Sequence, residues 1–116
     1  MSPEQSWRQA LVDGEFKLQW ARASGRCFFP PRVAEPGTGN RDWEWISASG
    51  YGTVYSVTTV HPRAPDKPYN VVLVDLAEGP RVMSRVVGTA DVRIGMAVRA
   101  RIDRTGDAPL LLFEPA

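Results

Sequence analysis

The sequence is short of the side chains that do most chemistry. Its 116 residues include one cysteine, Cys27, one histidine, His61, and two lysines. A lone thiol forms no internal disulfide, and with a single imidazole it cannot complete a four-ligand zinc site of the Cys/His kind. No stretch approaches the roughly 20 consecutive apolar residues of a membrane span. The opening residues, Met1 to Phe16, carry acids where a secretion signal carries an apolar run, so the expected location is the cytoplasm, with no membrane partner. An excess of one charge is also missing: 14 basic side chains face 13 acidic ones, for a formal net charge of +1. Without a basic surface there is little counterion release to drive broad nucleic-acid binding. What is present, 43% hydrophobic residues, suits one modest core, which is what a chain of roughly 100 to 150 residues can bury.

A short helix is expected from about Pro3 to Asp13. Ser2 can cap it, Pro3 suits the first helical position, and Gln5 stands where a capping box needs it. Glu4 favours the positive end of the helix dipole, and Gly14 follows where a left-handed residue ends a helix. Trp7, Ala10 and Leu11 form one narrow apolar stripe. That stripe must dock either on the rest of the chain or on a partner, and the pattern leaves both open.

From Glu15 to Arg32 the chain reads as a hairpin, FKLQW and RCFFP, joined by residues 21–25 and ended by Pro30 and Pro31. A Pro/Gly-rich loop covers residues 33–42. After it the hydrophobic period becomes two, which points to an all-β domain. The clearest strand is Met96–Asp103, where Met96, Val98, Ala100 and Ile102 alternate with Ala97, Arg99, Arg101 and Asp103. WEWISASG and YGTVYSVTTV count as one strand kinked at Gly50 and Gly52, the expected place of a bulge or sharp bend. With NVVLVDL, PRVMSRVVG, MAVRARID and PLLLFEP this makes five strands, enough to close a small barrel of the OB type.

The order of segments carries a resemblance over nearly the whole chain. After the N-terminal helix come FKLQ, a turn ending in Gly-Arg, FPPR, WEW, GYGTVYSVTTVH, PYNVVLVDL and DVRIGMAVRARI. This resembles bacterial and archaeal proteins in which a rubredoxin-like zinc ribbon precedes an OB-fold, a domain of unknown function (number thirty-five) associated with acyl-CoA metabolism. The resemblance implies residues 1–42 as helix and ribbon-like hairpin and residues 43–116 as the OB-fold domain. It also implies an accessory subunit. Similar proteins accompany thiolase-like enzymes, thiolase-fold aldolases of steroid side-chain breakdown, hot-dog enoyl-CoA hydratases and some acyltransferases, and the partner generally holds the catalytic residues. The OB-fold member supports the complex and helps shape the acyl-CoA pocket.

The chain departs from that family at the metal. The two Cys-x-x-Cys pairs of the ribbon would fall on Ala21 and Ser24 and on Glu35 and Thr38, so all four thiolates are missing. Ala, Ser and Thr offer nothing comparable to thiolate. The expectation is a degenerate ribbon without zinc, shortened or held by packing of Trp20, Phe28, Phe29 and Trp43, and no cofactor other than acyl-CoA shared with the partner.

Candidates for chemistry within the chain are few. His61 at a strand end is the only conventional base, and Cys27 beside Arg26 is a thiol open to activation or to simple burial. Neither a P-loop nor a dinucleotide fingerprint is present. The twelve arginines are the stronger lead, with Arg81, Arg85, Arg99 and Arg101 on barrel strands. Arg suits bidentate contact with phosphate or carboxylate, so these four fit coenzyme A, a partner's acids, or Asp75, Glu78 and Asp103 of the same surface. Of eleven aromatic residues, seven precede or open the barrel, a poor base-stacking platform but a dense apolar region for a small segment to bury. Trp7, Leu11, Phe16, Trp20 and Phe29 are therefore the expected partner contacts. A single-stranded nucleic-acid module is the alternative function, and an independent acyl-CoA enzyme using His61 is a third.

Overall fold

The computed structural model describes residues 1–116. Helix α1 spans Pro3–Val12 and is capped as expected, with the Gln5 amide donating to Ser2 Oγ at 3.2 Å and the Ser2 amide to Gln5 Oε1 at 2.9 Å. Asp13 ends it and Gly14 follows at φ +82°. The helix C-terminus receives a cation from far along the chain, Arg104, whose Nη1 donates to Val12 O at 3.1 Å. That bond, with Leu11 2% exposed, settles where the apolar stripe docks: on the chain itself.

Two antiparallel sheets follow. Strands β1 (Lys17–Ala21), β2 (Arg26–Phe28) and β3 (Trp43–Ser47) form the first, in the order β2-β1-β3. The hairpin is where the sequence places it, but Trp43–Ser47 is not the first half of a kinked barrel strand. It ladders with β1, Lys17 facing Ser47 and Ala21 facing Trp43. Residues 48–50 then turn the chain into the second sheet. The physical reason is the link itself, where Gly50 at φ +84° breaks the extended run and its carbonyl accepts from the Ala100 amide at 2.7 Å.

The second sheet comprises β4 (Tyr51–Val60), β5 (Tyr69–Leu76), β6 (Arg81–Ser84), β7 (Ala97–Asp103) and β8 (Leu110–Pro115), ordered β6-β5-β4-β7-β8. These five strands make the expected OB-type fold. The bulge lies at Tyr55, between Val54 and Ser56, and not at the glycines. Gly52 has another task, since a Cβ there would stand 2.6 Å from Val74 Cγ1 and 2.8 Å from the Asp75 carbonyl oxygen.

The barrel is not laddered all the way round. Between β6 and β8 a single parallel bridge joins Val86 and Phe113, with Phe113 N donating to Arg85 O and Val87 N to Phe113 O. Side chains complete the seam. Asn70 pairs with both backbone groups of Val86 at 2.8 and 2.9 Å, and Ser84 Oγ donates to Leu111 O at 2.7 Å. Inside, Val54, Val72, Val74, Leu76, Val82, Val86, Val98 and Phe113 join Phe16 and Leu18 in one core that runs from the first sheet into the barrel. Each such burial contributes about 1.5–3 kcal/mol.

Gly52→Ala forces β4 and β5 apart at a backbone carbonyl and is expected to cost about 1–3 kcal/mol, read as a lower urea midpoint. An unchanged midpoint would show that the strands yield freely there.

Candidate partner-binding surface

The five residues expected to meet a partner do not form one exposed patch. Leu11 is 2% and Phe16 9% exposed, both consumed by the chain's own interior. Trp7 packs on Phe29, their ring centroids 5.4 Å apart, and both are half-buried against the core. The Trp7 Nε1 donor is buried without an acceptor, so this indole is placed for its ring and not for its N–H. Trp20 alone stands apart, half-buried on β1 between Cys27 and Glu44. Composition showed that aromatics crowd the first 45 residues; it did not show that the barrel core extends to meet them.

Met1, Val12 and Val33 are exposed singly in the N-terminal third, and the other large exposed apolar groups lie on the barrel. Alternation along the strands sends Val72, Val74 and Leu76 of β5 inward and Tyr69, Val71, Leu73 and Asp75 outward. On the neighbouring strands Tyr51, Tyr55 and Met83 are exposed, Met83 to 72%, and Met83 lies directly across from Leu73. Arg81 is fixed among them, Nε donating to Asp75 Oδ1 at 2.7 Å and the guanidinium 3.4 Å from the centre of the Tyr55 ring. Both contacts hold the guanidinium charged, Asp75 foremost. Beside this face a groove of about 460 Å³ follows the β6/β8 seam, lined by Tyr69, Val71, Arg85, Val87, Leu110 and Leu112 among others. Arg85 lies 4.3 Å from the Tyr69 ring centre. The groove's signal in the sequence is Leu110-Leu111-Leu112, an unbroken run that makes β8 apolar on both faces.

Arg99 and Arg101, the other two barrel arginines, are engaged within the chain. Arg99 Nε donates to Glu114 Oε1 at 3.1 Å, and Arg101 stands 4.0 Å from the same carboxylate. Glu78 meets no arginine; it accepts from the Ser49 amide at 2.6 Å, tying the link between the sheets to the barrel. Asp103 accepts from the Thr105 hydroxyl and amide, which hold its carboxyl below the usual range.

The potential catalytic groups are not assembled. His61 is exposed just beyond β4 and takes part in no side-chain hydrogen bond or ion pair. Burial pushes the Cys27 thiol up, and the charge of Glu78 adds to that, the opposite of what a nucleophilic thiolate needs. Its neighbour Arg26 instead reaches toward Glu35, at 3.9 Å.

Glu35 belongs to a small polar cluster at the end of the first sheet. Ser24 Oγ donates to its Oε2 at 2.6 Å and Thr38 Oγ1 to its Oε1 at 2.7 Å, while the side chain is 4% exposed. These hydroxyls, Ser24 first, hold the Glu35 carboxyl below the ordinary range against the opposing effect of burial. On the same face Phe28 meets Trp43 edge-on at 6.4 Å and Trp43 meets Trp45 at 5.3 Å, with Trp43 Nε1 donating to Val33 O. Trp20 lies on the opposite face of β1, and Phe29 packs instead on Trp7 of the helix.

Residues 45–103 match the family model described as the ChsH2 C-terminal OB-fold domain. The chain belongs to this ChsH2 OB-fold family. A solved chain described as "Ltp2-ChsH2(DUF35) aldolase" superposes with a TM-score of 0.85 at 32% identity, covering 97% of this chain and 94% of that one. A "DUF35 domain-containing scaffold protein" of Methanocaldococcus jannaschii is 33% identical over 77% of this chain and 70% of its own length. A "Probable enoyl-CoA hydratase alpha subunit" of Thermomonospora curvata is 34% identical over 95% of this chain. This member of the ChsH2 OB-fold family spans only 36% of that hydratase subunit. No helix of the chain is long and apolar enough to cross a membrane.

Two outcomes follow for this surface. Leu11→Ala is expected to destabilise the whole fold by about 2–5 kcal/mol in urea unfolding followed by circular dichroism; a loss confined to partner binding would return Leu11 to the interface. Because the Glu35 pKa is lowered on folding, its contribution is complete above the ordinary value of 4.5 and is lost as pH falls through the lower folded value. Tryptophan emission, which comes only from residues 7–45, should stay level from pH 7 to 4.5 and shift below it. A shift completed above 4.5 would contradict this.

Proposed function

We propose that this chain is a cytoplasmic accessory subunit of an acyl-CoA enzyme, a thiolase-superfamily aldolase or a related thiolase or hydratase, and that the partner supplies the catalytic groups. The observation that carries this reading is the near end-to-end likeness to the DUF35 chain of the Ltp2-ChsH2 aldolase. The scattered positions of His61 and Cys27 support it, because a base and a nucleophile must lie within hydrogen-bond reach to act together. The acyl group in question is bulky, a steroid side chain or an aromatic acid, and the chain stabilises the complex that handles it.

In this reading the partner contact falls on the outer barrel face of Tyr51, Tyr55, Leu73 and Met83. Such an apolar patch, rimmed by the Arg81–Asp75 pair, is the common form of a protein interface. A nucleic-acid role has less support, since Arg81 already covers the Tyr55 ring that a base would stack upon.

Affinity capture of the tagged chain from its native cytoplasm is expected to recover a near-stoichiometric thiolase-fold or hydratase-type enzyme whose activity survives His61→Ala. Recovery of oligonucleotides alone, or acyl-CoA turnover by the isolated chain, would overturn the proposal. Met83→Glu should leave stability within about 0.5 kcal/mol and release the partner. Undiminished capture would move the interface elsewhere.

A further inference from the structure

We infer that the Glu35 carboxylate ties together the two turns at the end of the first sheet, as an anionic hydrogen-bond hub standing where cysteine-bearing ribbons hold zinc. The two turns have one design. In Ala21-Arg-Ala-Ser24-Gly25 the Gly25 amide donates to Ala21 O at 2.8 Å; in Glu35-Pro-Gly-Thr38-Gly39 the Gly39 amide donates to Glu35 O at 2.9 Å. Both closing glycines are left-handed, at φ +68° and +70°. The fourth residue of each turn then gives its hydroxyl to one carboxylate, Ser24 across the gap and Thr38 from within its own turn. One side chain thereby joins segments eleven residues apart.

The donor set does not fit zinc. Ala21, fully buried, presents a methyl group, and neither turn holds a thiolate or an imidazole. Each Glu35 oxygen already accepts a hydroxyl proton, so a cation entering here would compete with both donors and find hydroxyls in place of soft ligands. No group of three or more His, Cys, Asp or Glu side chains lies close enough anywhere in the chain to hold a metal ion. Charge-assisted hydrogen bonds are stronger than neutral ones, and Arg26 at 3.9 Å offsets the negative charge from outside. The hub therefore accounts for an ordered pair of turns without metal, and it leaves these turns indifferent to zinc supply.

The test is amide hydrogen exchange on the purified full chain, with zinc measured by mass spectrometry before and after EDTA. Zinc is expected far below one per chain, with exchange unchanged by EDTA. Glu35→Ala should speed exchange at Gly25 and Gly39 by about tenfold or more, while Val54 and Phe113 in the barrel keep their rates. If Glu35→Ala disturbs the entire fold, the milder pair Ser24→Ala and Thr38→Ala, which keeps the carboxylate and removes its donors, should reproduce the local acceleration. Stoichiometric zinc whose removal loosens the turns would overturn the inference. So would Gly25 and Gly39 rates unmoved by the variant that folds.

Discussion

The meeting of Phe113 with Val86 is the constraint on which the rest of the molecule depends. Five strands this short form a curved sheet, and a curved sheet excludes water only if its ends meet. Here they meet at one bridge, and Asn70 and Ser84 satisfy backbone groups that further ladder bonds would otherwise satisfy. Phe113, fully buried, fills the space behind the seam. Because the closure is a single bridge and not a ladder, a groove lined by Tyr69, Arg85 and Leu110 remains open beside it.

The same core decides what the N-terminal third can do. Phe16 and Leu18 pack with the barrel valines, Leu11 is buried, and Arg104 fastens the helix from the barrel side. The helix and first sheet are therefore fixed attachments and not a free docking arm. The side chains the core leaves free on β4 to β6 are the outward members of each alternating pair.

Much of the architecture was legible because each element has a local cause. The capping box of Ser2 and Gln5 and the alternation through Val98 and Arg99 act within a few residues. So does the turn at Gly25. The assignment of Trp43–Ser47 was not legible, since an alternating run can continue into β4 as one kinked strand or pair with β1, and its local pattern does not distinguish the two. The burial of Leu11 and Phe16, two of the expected contacts, was hidden for a related reason. Aromatic residues in a small segment mark a need for burial, but the partner that buries Phe16 lies in residues 54–113, and no pattern in the first 45 residues reports it. The cluster at Glu35 was not legible: the resemblance only set Ser24, Glu35 and Thr38 at matching places in two turns, whereas the carboxylate that joins Ser24 to Thr38 depends on how those turns face each other in space.

The order of the barrel strands also has a temporal side. During synthesis Phe16 and Leu18 leave the ribosome well before Phe113, the last member of the core they join, which follows almost a hundred residues later. Until then the core that covers them is incomplete, and the seam cannot close. Contacts this distant in sequence make folding slow relative to a helical protein of equal size, and they place the period of greatest vulnerability to aggregation before β8 has emerged.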